Sequence, residues 1–352
     1  MWRNILDFLK GFLSVVFAVV AILVIYLGIK IISINNARKQ VSDDYEISEI
    51  REYTLGGIKQ KVLVEGKSKD LPVVIYLHGG PGIPMPYNVG SRGLFPEITD
   101  KNIFVVWDQY GCGINKAPLD KDFKIETIYE MSKDLVREIK KDFPDQKLTV
   151  FGVSWGSYLS ARLATEMPEL IDSVLVYGQI TSDLTLNEEV FEALRKSDLP
   201  KKDKEKLELI AAKDEFDIED ALLVSGWINL YTQGLVAEGT SMWDFVPKLI
   251  GQMFSPDYKL KDGFAIMDND YDDNRDFLKQ MYALDLRPLL KEVSIPYTIL
   301  QGEHDLVTST KAIKELVEST NNPNLKIKIF PNSSHTPSQD TLAEVIQFDK
   351  YR

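Results

Sequence analysis

The predicted fold is decided by residues 148–167, LTVFGVSWGSYLSARLATEM. The run up to Gly152 is apolar and typical of a buried strand, and the residues after the turn suit a helix that stops before Pro168. The turn itself is Gly152-Val153-Ser154-Trp155-Gly156. A sharp strand-to-helix turn projects its central hydroxyl clear of the sheet, and flanking glycines leave room for it. Ser154 is therefore the predicted nucleophile.

Similar apolar runs lie on both sides of this stretch. They cover residues 72–77, 103–107, 174–177, 295–300 and 324–330. Unbroken runs of this length suit strands buried on both faces of a parallel sheet. Two β-rich segments, 50–55 and 58–64, are joined by Gly56-Gly57 and predict a hairpin. Because apolar residues at helical spacing over 126–143 separate two of the runs, the sequence predicts a mostly parallel, doubly wound α/β sheet.

The alternation of strands and helices breaks near Thr181. Residues 183–285 are rich in charge and in helical patterns and contain no buried-strand run, which predicts a helical cap inserted into the sheet domain. A closing helix is expected at 341–348. The predicted divisions are 1–40 for an N-terminal anchor and linker, 41–182 and 286–352 for the two parts of the sheet domain, and 183–285 for the cap.

The N-terminal segment has no charged residue from Gly11 to Ile29. At about 1.5 Å per residue it spans roughly 28 Å, the thickness of a bilayer core. We expect one transmembrane helix, inserted through residues 5–34 and followed by a polar linker at 35–46. A buried core helix and a cleaved signal peptide are the alternatives, and no small-x-small cleavage site follows Gly28. A short tail ahead of a large domain favours the catalytic part on the outer side.

Charge and cysteine usage exclude several classes of protein. The net charge is -12, and an acidic body repels phosphate backbones, so we expect no nucleic-acid partner. Cys112 is the single cysteine, which excludes an intrachain disulfide, and it is predicted to be structural because no base lies near it in the sequence. No metal-ligand spacing and no phosphate-binding glycine loop occurs, so no metal or cofactor is implied.

A serine nucleophile needs a base, and the base needs an orienting acid. With a nucleophile turn of this kind, the acid and then the histidine follow the serine along the chain. Asp305 and His335 do so, each just past a late strand, and loops at one edge of a parallel sheet converge. His304 is the alternative base and Asp183 the alternative acid.

The negative oxygen formed during acyl transfer needs preorganised N–H donors. One is expected from Trp155, directly after the nucleophile. The other is expected from the loop His78-Gly79-Gly80-Pro81-Gly82, with Gly80 favoured over Gly79 because glycine lets the backbone approach a substrate. This places His78 and Gly79 beside the bound substrate, with His78 shaping the loop rather than transferring protons.

Three segments together resemble the proline iminopeptidase (prolyl aminopeptidase) family of α/β-hydrolases. They are HGGPG at 78–82, DQYGCG at 108–113 and GVSWGS at 152–157. The segments GEHD at 302–305 and SSH at 333–335 resemble the acid and base loops of that family. The resemblance implies the α/β-hydrolase fold and release of an N-terminal residue, often proline, from peptides. It also implies the triad Ser154, Asp305 and His335, with Gly80 and Trp155 as oxyanion donors.

The sequence departs from the family in three places. Tyr110 stands where members usually have Arg, Asn115 is followed by Lys116 where members usually have Ser nearby, and the membrane segment is unusual for them. The resemblance further implies that cap acids hold the free amine of the substrate. The candidates, which the motifs do not align, are Glu188, Glu189, Glu192, Glu238 and Asp244.

Three functions compete on these residues. An aminopeptidase of the proline iminopeptidase type needs a cap carboxylate to neutralise the buried amine of its peptide substrate. A carboxylesterase or other small-molecule hydrolase uses the same triad without that carboxylate. A non-catalytic binding protein is disfavoured because every triad member is present. No oligomeric state is indicated.

Overall fold

Strands and helices alternate along most of the chain in the computed structural model, which describes residues 2–351 except 183, 238, 241–245, 254, 256, 267 and 269. Its strands are β1 (Ile47–Leu55), β2 (Ile58–Gly66), β3 (Val73–Leu77), β4 (Ile103–Val106), β5 (Leu148–Val153), β6 (Ser173–Tyr177), β7 (Tyr297–Gly302) and β8 (Leu325–Phe330). Its α-helices are α1 (Trp2–Asp44), α2 (Pro96–Thr99), α3 (Ile125–Asp142), α4 (Trp155–Glu166), α5 (Glu188–Lys196), α6 (Lys201–Ala211), α7 (Ile218–Tyr231), α8 (Val246–Met253), α9 (Leu260–Phe264), α10 (Arg275–Tyr282), α11 (Arg287–Lys291), α12 (Thr310–Thr320) and α13 (Gln339–Val345).

The strands form a single sheet in the order β1-β2-β4-β3-β5-β6-β7-β8. β1 and β2 form the predicted hairpin, and β2 pairs antiparallel with β4. All the other pairs are parallel. The carboxyl ends of β3, β5, β6, β7 and β8 therefore meet at one edge, where a catalytic site is expected. The predicted mostly parallel sheet is confirmed.

Both faces of the sheet are buried, as its apolar runs predict. Val73, Ile75 and Leu77 of β3 lie in the core cluster that contains the apolar faces of α3 and α4. Val74 and Tyr76, which alternate with them, lie in a second cluster on the opposite face. A strand that is apolar at every position thus satisfies two cores at once.

The cap lies between β6 and β7. Its described residues form helices α5 to α10 and their connecting turns. One isolated parallel bridge, Val236 to Thr336, joins the cap to the loop after β8. The inserted helical segment predicted from the sequence therefore contacts the sheet edge directly.

Helix α1 contradicts the linker predicted at 35–46, because it continues as one helix to Asp44. The physical reason is local. The segment NNARKQVSDD at 35–44 contains no glycine or proline to end a helix, and its central residues ARKQ are all good helix formers. Arg38, within that segment, is buried against the sheet domain. Within the described residues, Lys10–Asn36 is the one stretch long and apolar enough to cross a membrane, by length and composition.

Candidate active site

The nucleophile turn is built from backbone contacts that only glycine permits. Ser154 has φ +50° and ψ −114°, and its N–H donates to the Tyr177 carbonyl of β6 at 2.9 Å. A side chain at Gly156 would place its Cβ 1.9 Å from the Leu77 carbonyl oxygen. A Cβ at Gly152 would lie 2.3 Å from Ser160 Oγ. The two glycines thus let α4 cross directly over the sheet edge and hold Ser154 in its strained conformation.

Three predicted residues from separate loops meet beside this turn. His335 Nδ1 lies 2.8 Å from Asp305 Oδ2, and His335 Nε2 lies 2.8 Å from Ser154 Oγ. Because an ionised carboxylate only accepts, Nδ1–H donates to Asp305 and Nε2 is left to accept the Ser154 hydroxyl proton. This geometry allows direct proton transfer from the serine to the imidazole.

Asp305 is fully buried, and its carboxylate is surrounded by donors. Oδ1 accepts from the backbone N–H groups of Val307 at 2.8 Å and Thr308 at 2.9 Å. Oδ2 accepts from the Thr308 hydroxyl at 2.7 Å and from the Gln301 amide at 3.0 Å. These bonds compensate the loss of solvation of a buried carboxylate and fix its direction toward His335.

His335 is held from two sides. On the sheet side, Gly178 has φ +71°, and a Cβ there would lie 3.1 Å from His335 Cε1. On the cap side, the N–H of Thr336 donates to the Leu235 carbonyl at 2.8 Å, and the N–H of His335 donates to the Gly234 carbonyl at 3.4 Å. The cap segment 233–236 and the base loop are therefore joined by backbone hydrogen bonds.

The loop after β3 lies against the nucleophile turn. A Cβ at Gly79 would be 3.3 Å from Ser154 Cβ, so glycine permits the close approach. Gly80 has φ +112°, and a Cβ there would lie 2.7 Å from the Ile83 nitrogen. Gly80 and Trp155, the first residue of α4, stay the predicted oxyanion donors.

His78 holds this loop from inside. It is fully buried, its Nδ1 donates to the Gly79 carbonyl at 2.9 Å, and its Nε2 accepts the Gln109 N–H at 3.0 Å. Burial lowers the pKa of His78 to about 4, so the ring is neutral at pH 7. Both nitrogens are engaged, which contradicts a polar contact between this ring and the substrate and agrees with its loop-shaping role.

Gln109 joins the two segments that carry the predicted oxyanion donors. Its amide nitrogen donates to the His78 carbonyl at 3.1 Å, and its amide oxygen accepts from the Trp155 indole at 3.0 Å. All three residues are fully buried. One carboxamide therefore fixes the spacing between the loop after β3 and the first turn of α4.

The alternative residues lie elsewhere. His304 is exposed, whereas the neighbouring Asp305 is buried. Asp183 lies outside the described residues. Cys112 is buried with its thiol 3.5 Å from His78 Nε2, a neighbour that the sequence spacing did not indicate. Burial raises the pKa of Cys112 well above its usual range, so the thiolate form is disfavoured and the structural interpretation is supported.

The candidate cap acids on helix α5 have different surroundings. Glu188 pairs with Arg195, and Glu192 pairs with Lys196 at 3.4 Å, both on the exposed side. Neither carboxylate contacts the triad. Glu189 is half-buried and accepts a hydrogen bond from Ser309, in the loop that begins with Asp305. Glu238 and Asp244 lie outside the described residues.

A comparison of the sequence with protein families agrees with this arrangement of a serine, a histidine and an acid at the carboxyl edge of the sheet. The profile of the α/β-hydrolase fold matches residues 72–223, from β3 through the nucleophile turn into the cap. The chain has the α/β-hydrolase fold. The match supports a hydrolase, which is the coarse activity predicted from the motifs.

The similar proteins support the resemblance to proline iminopeptidases. "Probable aminopeptidase YbaC" of Bacillus subtilis (strain 168) is 21% identical over 315 residues, covering 84% of this hydrolase and 93% of that protein. "Proline iminopeptidase" of Neisseria meningitidis serogroup A is 31% identical over 115 residues, 32% of this chain and 34% of that one. The crystal structure of a proline iminopeptidase from Mycobacterium smegmatis has a TM-score of 0.57 at 21% identity, covering 85% of this chain and 97% of that chain.

Several site residues of this α/β-hydrolase were missed by the motifs. Gln109 lies inside DQYGCG, but nothing in the sequence indicates that its amide bridges His78 and Trp155. Gln301 and Thr308, which both donate hydrogen bonds to Asp305, lie within four residues of it in the sequence. A search for donors around the predicted acid could therefore have found them.

Proposed function

We propose that this α/β-hydrolase is a serine hydrolase in which Ser154 is the nucleophile, His335 the general base and Asp305 the orienting acid. The observation that carries the proposal is that one imidazole lies 2.8 Å from both the hydroxyl and the carboxylate. The strained conformation of Ser154 at the amino end of α4 gives further support, since a helix N-terminus favours developing negative charge.

The proposed reaction passes through an acyl-enzyme. Ser154 Oγ attacks the scissile carbonyl while its proton moves to His335 Nε2, and the tetrahedral oxyanion accepts hydrogen bonds from the N–H groups of Gly80 and Trp155. Collapse of the intermediate breaks the carbonyl bond to the leaving group, which takes the proton from His335. Water, deprotonated by the same imidazole, then hydrolyses the ester on Ser154 and restores the free enzyme.

The substrate we propose is a peptide from which the enzyme releases an N-terminal, proline-type residue. The names of the similar proteins from Bacillus subtilis and Neisseria meningitidis support this class. An aminopeptidase also needs a carboxylate for the substrate amine, because an unpaired buried charge is costly. Glu189 is our candidate, since its half-buried carboxylate reaches Ser309 in the acid loop.

A carboxylesterase or other small-molecule hydrolase is the second candidate. The observation that favours it is the outward pairing of Glu188 with Arg195 and of Glu192 with Lys196, which removes two cap acids from amine binding. The same triad then acts on an uncharged acyl group.

We also infer that α1 anchors the enzyme in a membrane, with the catalytic domain on the outer side. The apolar stretch Lys10–Asn36 has 27 residues, and its most apolar window is not covered by the rest of the chain. At about 1.5 Å per residue this exceeds the thickness of a bilayer core.

The deciding experiment compares three substrates on the full-length protein in detergent. They are a proline arylamide, its N-blocked form and a p-nitrophenyl ester. A preference for the free-amine arylamide is expected, because the blocked form loses its pairing with the cap carboxylate. Activity on the ester alone would replace the aminopeptidase proposal with the esterase.

The nucleophile is tested separately with a fluorophosphonate probe. Wild-type protein should be labelled at Ser154, and Ser154→Ala should lose the label and roughly 10⁶-fold in kcat when chemistry limits turnover. Turnover that survives Ser154→Ala would refute the assignment of the nucleophile. Lack of labelling of the wild type would instead favour a binding protein on a hydrolase fold.

A further inference from the structure

The carboxyl-terminal part of α1 is docked on the catalytic domain through Arg38. This residue lies two positions beyond Asn36, the last residue of the apolar stretch, and is only 2% exposed. Its Nη2 donates to the Gly90 carbonyl at 2.9 Å and to the Gly251 carbonyl at 3.2 Å. The guanidinium thus bridges a 3₁₀ turn at Val89–Ser91 and cap helix α8.

The surroundings of Arg38 enclose it between α1 and the catalytic domain. A Cβ at Gly93, where φ is +71°, would lie 2.9 Å from Arg38 Cα, so only glycine allows α1 this close. Burial lowers the pKa of Arg38 to about 10 against the effect of the nearby carboxylates of Asp257 and Glu65, and the side chain stays charged at pH 7. Removing one member of a buried group of charges leaves the others uncompensated.

Helix α8 also contacts the loop after β3, which contains Gly80. Next to Gly251, the fully buried Gln252 donates to the Pro86 carbonyl at 2.6 Å and accepts from the Asn88 amide at 2.7 Å. Pro86 and Asn88 end the loop that starts at His78 and contains Gly80. Two consecutive residues of α8 therefore connect the end of α1 to the segment with the predicted oxyanion donor.

The same segment is fixed to the sheet by one carboxylate. Asp108 is fully buried and accepts from the Val89 N–H at 3.0 Å and from the hydroxyl of Tyr258 in the cap. A Cβ at Gly90 would lie 2.8 Å from the Tyr258 ring, so the 3₁₀ turn is enclosed between cap and sheet. Arg38 contacts the middle of this turn.

We propose that the docked end of α1 is part of the active-site scaffold, and that Arg38 is a positioning residue that acts through Gly90 and α8 on the loop bearing Gly80. The proposal deepens the serine hydrolase assignment and rests on it for its kinetic readout. It follows that a soluble protein starting near residue 40 lacks a part of the site, although it keeps every triad residue.

The test compares Arg38→Ala, Gln252→Leu and the double variant in the full-length protein, with Lys39→Ala as the matched control. Lys39 is exposed on the same helix, so its loss should change nothing. Arg38→Ala and Gln252→Leu should each lower kcat and the fluorophosphonate labelling rate by about tenfold to a hundredfold, with KM nearly unchanged, because a misplaced oxyanion donor weakens only the transition state. The double variant should lose no more than the worse single variant.

Amide hydrogen exchange supplies a readout that needs no catalysis. Arg38→Ala should accelerate exchange in residues 79–91, far from the substitution in sequence, and leave α12 and β8 unchanged. Faster exchange confined to α1, with wild-type labelling and wild-type protection of 79–91, would overturn the proposal. An unlabelled wild type would refute the serine nucleophile, and hydrogen exchange would still decide the coupling. If Arg38→Ala fails to fold, Arg38→Met replaces it in both measurements, because methionine fills much of the same space without the donors to Gly90 and Gly251.

Discussion

The nucleophile turn, residues 152–156, and the cap, residues 183–285, are held by different kinds of contact. In the turn, an added Cβ at Gly156 would lie 1.9 Å from a backbone oxygen, whereas Gly226 in cap helix α7 has nothing within 4 Å. In the cap, Glu188 pairs with Arg195 and Glu192 pairs with Lys196 at the surface, and such surface pairs contribute about 0–1 kcal/mol each. On the proposed function, the chemistry depends on a region that accepts almost no change, and the choice of substrate depends on one that accepts much.

The largest effect is expected at the sheet edge, from Asp305→Asn. An amide nitrogen in place of one carboxylate oxygen faces either His335 Nδ1 or the donors at Val307 and Thr308. The first orientation forces the imidazole into the tautomer that cannot accept the serine proton, and the second sets donor against donor. We expect kcat to fall roughly 10⁴-fold, measured on the p-nitrophenyl ester.

Asp217→Asn in the cap is the matched control. Asp217 caps helix α7 and lies on the exposed side, so its replacement by another good N-cap residue should leave kcat at the wild-type value. A loss of less than tenfold for Asp305→Asn would contradict the orienting role and reopen Asp183 as the acid.

Gly156→Ala and Gly226→Ala make the same chemical change, one in the nucleophile turn and one in the cap. At Gly156 the new methyl meets the Leu77 carbonyl, so α4 must shift off β3, and we expect a loss of about 3 kcal/mol in unfolding free energy. At Gly226, in an exposed helix interior, we expect a gain of about 0.5–1 kcal/mol. Urea unfolding measures both, and equal responses would remove the contrast between the regions.

The chemistry could be located from the sequence because each signal is local. Strands buried on both faces give unbroken apolar runs, and glycines flanking Ser154 reflect contacts with the adjacent strand and helix. The order of serine, acid and histidine then named Asp305 and His335, and the structure brings them within 2.8 Å of their partners. Residues that act through distant partners left no such signal.

Gln109, Gln252 and Arg38 illustrate the limit. Gln109 contacts residues 31 and 46 positions away, and Arg38 contacts Gly251, 213 positions away. Polar residues at such positions look like solvated surface when only their neighbours are known, which is why the sequence predicts a linker at 35–46. The cap acids show a similar limit. Helical spacing makes Glu192 a neighbour of both Glu188 and Glu189, so the sequence alone does not predict that only Glu189 reaches Ser309.

The smallest effect is expected from Glu189→Gln in the cap. This substitution tests whether the cap selects the substrate. Glutamine keeps the size of the side chain and its contact with Ser309 but loses the charge. If Glu189 neutralises the substrate amine, KM for the proline arylamide should rise about tenfold, and the ester should be hydrolysed as before, because only the charged substrate loses a partner. Glu192→Gln, which removes a carboxylate paired with Lys196 on the exposed face, should alter neither value. Equal KM values for both variants would show that the substrate amine is not bound by an acid of α5. An equal loss of activity on arylamide and ester would mean that Glu189 supports the acid loop through Ser309 rather than binding substrate.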